Sequence, residues 1–258
     1  MTLLLPTLFF TLSVALTTRP SLLTVPPPSS TSIALSASSD NHHVFETWQA
    51  GTVVTESEVE RYGLDKCFVS CSITSDVFAR IKGKSYKTYC RIPLSHLRYV
   101  KVLHRNAMGQ TQLGELMCHR DIAADLVSIF KSLYKANYPI ERMVLIDNYN
   151  AADEPSMLAN NTSCFNYRYI AGSKRLSNHS SGRAIDINPL YNPYVYHNAK
   201  GKLIVSPPEA KAYANRKASF PYKIDKDDLC YREFIKHGFV WGGSWKHRID
   251  YQHFEKKE

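Results

Sequence analysis

Two short stretches hold the residue types best suited to chemistry. The first runs Ser177-Asn178-His179-Ser180-Ser181-Gly182-Arg183-Ala184-Ile185-Asp186-Ile187-Asn188. On a strand starting at Arg183, the side-chain period of two sends Ala184, Asp186 and Asn188 to one face and Ile185 and Ile187 to the other. The isoleucines then face a core and Asp186 a cleft. Gly182 permits the sharp turn that folds His179 back over that cleft. An imidazole and a carboxylate meeting there are two of the three protein ligands an open catalytic zinc site requires. The second stretch, Trp241 to Glu255, places His253 three residues after Asp250. An ideal strand points those two to opposite faces, so a bulge or tight turn must intervene if both serve one centre.

The pattern Ser177-x-His179-x6-Asp186, followed far downstream by Asp250-x-x-His253, resembles the zinc D-alanyl-D-alanine carboxypeptidase family of peptidoglycan peptidases, including its VanY-like carboxypeptidases and L-alanyl-D-glutamate endopeptidases. Ser156 to Arg168 and Gly238-Phe239-x-Trp241-Gly242-Gly243-x-Trp245 are similar to the same branch, and the likeness runs from about Gly114 to Glu255. The resemblance implies a hedgehog/DD-peptidase-like zinc peptidase domain, with Zn²⁺ held by His179, Asp186 and His253. It also implies that Asp250 is the catalytic acid and base, and that Arg168 holds substrate or stabilises the oxyanion. Such an enzyme hydrolyses a bond of the peptidoglycan stem peptide, as a D,D-carboxypeptidase or an L-alanyl-D-glutamate endopeptidase. The alternative is a non-catalytic cell-wall-binding module on the same fold. His247 lies beside the site, but Lys246 and Arg248 flank it and suggest an exposed segment. Trp241 and Trp245 either wall the cleft or fill the core.

The elements that must position these groups are legible in part. Ile122, Leu126, Ile129, Phe130 and Leu133 form one stripe of an amphipathic helix between Leu116 and Tyr134. Strands are expected at Ser85 to Ile92, which alternates, and at Met143 to Ile146, which ends at Asp147. Ser206-Pro207-Pro208-Glu209 reads as a capping box opening a helix to about Arg216. A further helix from about Asp228 ends at Gly238. Leu190 to Asp228 is long enough to cover one side of a cleft. The irregular mixture predicts an α+β domain with a small antiparallel sheet and flanking helices.

Length, charge and the N-terminus bound the remainder. The chain has 258 residues and a formal net charge of +9, and the first 39 residues contribute only Arg19. The basic character therefore belongs to the rest and favours a polyanion, whether nucleic acid, anionic lipid or an anionic cell-wall polymer, without choosing among them. No zinc-finger spacing, Gly-rich phosphate loop or long basic run supports nucleic-acid binding. Leu3 to Leu16 is apolar, interrupted by Pro6, and short for a bilayer span. It reads as a signal-peptide core, with an uncleaved anchor as the other reading, so the mature protein is expected to be exported and without stable membrane insertion. Residues 1–41 are accordingly leader and linker, 42–113 an N-terminal elaboration and 114–258 the peptidase domain. The six cysteines include no CxxC and read as buried thiols or one or two disulfides rather than metal ligands. The sequons at Asn160, Asn161 and Asn178 read as coincidence.

Overall fold

The longest ladder is a hairpin of two nine-residue strands, β3 (Leu97–Arg105) and β4 (Thr111–His119), registered from Leu97 opposite His119 to Arg105 opposite Thr111. Its turn closes because the Asn106 side-chain oxygen accepts from the amides of Met108 and Gln110, both at 2.9 Å. Short strands β1 (Val53–Val54) and β2 (Val69–Cys71) flank the hairpin, giving an antiparallel sheet ordered β1-β4-β3-β2. The computed structural model that gives this arrangement describes residues 43–170 and 172–257. The expected signal segment and linker lie outside the described residues.

Helices α1 (His43–Thr47), α2 (Glu56–Tyr62) and α3 (Ser75–Ile81) belong to the same N-terminal half. Next comes α4 (Arg120–Lys135), which lies against the hairpin. All five residues of its predicted stripe are buried in the main core with Val100, Val102 and Leu116 of the sheet. At about 1.5–3 kcal/mol for each large apolar side chain removed from water, that face anchors the helix. The expected span began earlier, but Leu116 to His119 pair with Leu97 to Val100 instead, so the helix starts at Arg120.

Beyond α5 (Asp153–Leu158), two small antiparallel sheets carry the rest of the chain. One is ordered β5-β10-β8, from β5 (Ala184–Asp186), β8 (Val240–Trp241) and β10 (His253–Glu255). The other is ordered β7-β6-β9, from β6 (Tyr194–His197), β7 (Leu203–Ser206) and β9 (Arg248–Asp250). The last helix, α6 (Leu229–Lys236), meets α4 through Phe130 and Phe234, whose rings contact edge to face at 6.3 Å. Asp228 caps α6 by accepting from the amides of Cys230 and Tyr231. At the other end Gly238 turns the chain at φ +80°, as expected. The architecture is α+β, as the sequence predicts.

Three local expectations are corrected. Ser85 to Ile92 is not a strand, because the Ser85 amide and hydroxyl both donate to the Asp147 carboxylate, at 2.9 and 2.8 Å, and Tyr86 N turns back to Ile81 O. Met143 to Ile146 builds no strand: Met143 O takes a single backbone bond, from Glu115 N of β4 at 3.0 Å, side chains take the groups of Val144 and Leu145, and Ile146 already opens a 3-10 helix to Tyr149. Asn161 brackets Val144 through Oδ1 and Nδ2, and Glu115 accepts from Leu145 N. The capping box is also not formed. Ser206 ends β7, and the following 3-10 helix, Pro208–Ala214, has Pro207 at its cap and no side-chain cap bond.

All described residues fall within one compact unit. The expected boundary at 113/114 lies inside β4, and the main core joins residues from Phe45 to Phe254. No helix among the described residues is long and apolar enough to cross a membrane. All six cysteines are free thiols.

Candidate metal centre

His179 is delivered by a single 3-10 turn, Asn178–Ser181, capped by the Ser177 side chain. Gly182 ends the turn in the left-handed region at φ 72°, ψ 16°. A Cβ there would sit 2.7 Å from the backbone nitrogen of His119, so the position excludes any side chain for two independent reasons. Its carbonyl instead accepts that same amide proton at 2.8 Å, fixing the turn to the end of the long hairpin.

Asp186 closes β5, where its backbone exchanges hydrogen bonds with Ser163 at 2.9 and 3.1 Å. Ile185 and Ile187 are fully buried in the main core, so the carboxylate is turned the other way. Across the ladder His253 of β10 stands directly opposite Asp186. The backbone break required between Asp250 and His253 is present. Asp250 ends β9 in one sheet, Tyr251 and Gln252 bend, and His253 begins β10 in the other sheet.

The three side chains converge. One ligand atom from each of His179, Asp186 and His253 lies within 4.8 Å of the others. His179 Nε2 is 3.2 Å from Asp186 Oδ2, and His253 Nδ1 is 3.1 Å from Asp186 Oδ1. The second nitrogens are also engaged. His179 Nδ1 lies 2.6 Å from the Cys164 carbonyl, an acceptor only, so Nδ1 carries a proton and Nε2 is the nitrogen left to face Asp186 and any bound ion. His253 Nε2 is 3.3 Å from Glu255 Oε2.

The electrostatics of this cluster suit a cation. Burial pushes the Asp186 carboxyl up, but the facing His179 and His253 outweigh it and hold it well below the usual carboxylate range. For His253, burial favours the neutral ring, yet hydrogen bonds to Asp186 and Glu255 and the charges of Asp186 and Asp250 raise it to about 10. Asp250 is pushed up to about 6, first by burial and then by the Asp186 charge. Its Oδ1 is buried with no hydrogen-bond partner among the described residues. A borderline divalent ion that takes nitrogen and oxygen together, as zinc does, therefore fits the donor set: two imidazoles presented through one nitrogen each, one carboxylate, and an unpaired acceptor nearby.

Gly242 packs against both halves of the bend. A Cβ there would lie 2.7 Å from Asp250 O and 3.2 Å from His253 Cβ. The two tryptophans divide their roles. Trp241 is buried against Tyr231 and Phe254 and donates to Tyr251 O at 2.9 Å, whereas exposed Trp245 lies beside His253 with ring centroids 5.3 Å apart. His247 is exposed in the turn before β9.

Arg168 is tied to the His179 turn through its backbone: its carbonyl accepts from Ser177 N and Ser180 Oγ, and its amide donates to Ser180 Oγ. Its guanidinium forms an ion pair with Asp153 at 2.5 Å. The expected covering segment becomes the β6–β7 hairpin and the 3-10 helix, and Tyr194 of β6 stands opposite Asp250. Asn160 and Asn161, two of the three sequon asparagines, are buried.

Two groups at the centre were not foreseen. Glu255 follows His253 by two on a strand, a same-face spacing that alternation alone could have flagged. The Cys164 carbonyl carries no side-chain signal at all.

Residues 171–256, about the last third of the chain, match the family model described as D-alanyl-D-alanine carboxypeptidase. That bears out the resemblance read from the motifs. The matched span includes His179, Asp186, Asp250 and His253, while Arg168 falls just before it. No curated protein and no solved structure matches the chain.

Proposed function

We propose that this carboxypeptidase-like chain is an exported zinc peptidase that hydrolyses a bond in peptidoglycan stem peptides. The observation that carries the reading is the convergence of His179, Asp186 and His253 within 4.8 Å, inside the segment matched by the family model. Zinc held by these three residues would supply a water acidified towards pH ~7 and a polarised scissile carbonyl. The chain's own groups do the rest. Asp250 accepts the proton of the attacking water at its unpaired Oδ1 and returns it to the leaving amine. Arg168, whose Nε is held by Asp153, would bind a substrate carboxylate or the developing oxyanion. The Cys164 carbonyl, accepting from His179 Nδ1, would leave Nε2 of that ring for the metal.

The basic surface would concentrate the enzyme on an anionic wall polymer. Purified protein incubated with peptidoglycan should release new amino groups, and a chelator should stop the release. No release from zinc-replete protein would instead favour the wall-binding alternative. Mass spectrometry of digested stem peptides assigns the bond: loss of terminal D-alanine marks a carboxypeptidase, and cleavage between L-alanine and D-glutamate an endopeptidase.

A further inference from the structure

Glu255 sits where a ligand-orienting group would sit. It lies on the same face of β10 as His253, two residues on, with Oε2 3.3 Å from His253 Nε2. The Asn178 side-chain amide, next to His179 in the chain, donates to the same carboxylate oxygen. Glu255 thus joins the strand that carries one imidazole to the turn that carries the other. Its side chain is 13% exposed, and its position opposite Ala184 is fixed by the same ladder that sets His253 opposite Asp186.

Resting on the zinc-peptidase reading, we infer that Glu255 is a positioning residue that assigns His253 to the metal through Nδ1. A carboxylate can only accept from Nε2–H, so a neutral, metal-bound ring would offer its lone pair through Nδ1, the nitrogen 3.1 Å from Asp186 Oδ1. The ring would otherwise be free to turn about its Cβ–Cγ bond, and Asn178 would lose its anchor. Glu255 itself contacts the outer nitrogen and stands outside the three-residue ligand cluster.

The test measures zinc affinity of the full chain by competition with a chelator of known affinity. The wild type, Asp186→Ala, Glu255→Ala and Glu255→Gln proteins are compared. Wild type should bind one zinc ion and Asp186→Ala none. Failure of that pair to differ overturns the metal-centre reading and with it this inference. Glu255→Ala should bind about 10–100-fold more weakly, and Glu255→Gln, which keeps an acceptor, by a smaller factor. The cobalt-substituted visible spectrum should shift in Glu255→Ala, which a purely structural loss would not cause. Wild-type affinity and an unchanged cobalt spectrum in Glu255→Ala overturn the inference while leaving the metal centre intact. Should that variant not fold, proton–nitrogen correlation spectra of zinc-loaded wild type decide the matter. Metal at Nδ1 and a proton at Nε2 of His253 are expected, and metal at Nε2 overturns the inference.

Discussion

Asp250 combines burial, a neighbouring negative charge and an unpaired oxygen, and nothing else in its surroundings makes structural use of that carboxylate oxygen. Replacing it with Ala should lower the rate of peptide hydrolysis by about 10²–10⁴. Zinc content, measured by atomic absorption, should stay near wild type. Gly182 makes a different kind of demand. Gly182→Ala forces a left-handed φ on a residue with a Cβ and drives that atom onto the His119 backbone, so a loss of about 1–3 kcal/mol in urea unfolding is expected. The ligands and Asp250 were legible as residues because histidine and carboxylate chemistry is written in side chains at fixed spacings. The group that orients His179 was not, because the Cys164 carbonyl belongs to the backbone and any residue could supply it. Glu255 lay between these cases, visible only once β10 was known to be a strand.

At the scale of elements, the centre depends on a ladder three residues long. Pairing of β5 with β10 sets His253 opposite Asp186, and the crossing of the chain from β9 into β10 brings Asp250 beside them. Deleting the last six residues removes β10 whole, so zinc binding and hydrolysis should vanish together while a protein cut after residue 255 keeps both. The amphipathic period of α4 predicted its buried face because water exclusion acts on every turn alike. Leu126→Ala there should cost about 2–5 kcal/mol by thermal or urea unfolding. The two missed strand expectations share a cause. At Ser85, Val144 and Leu145, distant side chains take backbone groups that a neighbouring strand would otherwise use. Apolar pattern reports which face is buried but not what pairs with the backbone.

Across the whole molecule, the N-terminal hairpin and the site-bearing sheets share one core, and His119 links them through the Gly182 carbonyl. A boundary drawn at 113/114 from where the family resemblance begins had no way to register that shared burial, since core membership is a property of the folded chain. The same core holds a pH-sensitive group. Burial lowers His104 from 6.5 to about 4, while its Nδ1 bonds Ile140 O at 2.7 Å. The unfolded chain therefore takes up a proton that the folded chain refuses, and stability should fall as pH drops from about 6.5 to about 4. Urea unfolding at several pH values checks this, and His104→Gln should flatten the dependence over that window.

The central claim is that His179, Asp186 and His253 hold a single divalent ion. Crystals of the zinc-loaded protein, measured on both sides of the zinc absorption edge, test it most directly. One anomalous peak within bonding distance of His179 Nε2, an Asp186 carboxylate oxygen and His253 Nδ1 is predicted. The absence of a peak there, or a peak held by other residues, would contradict the account.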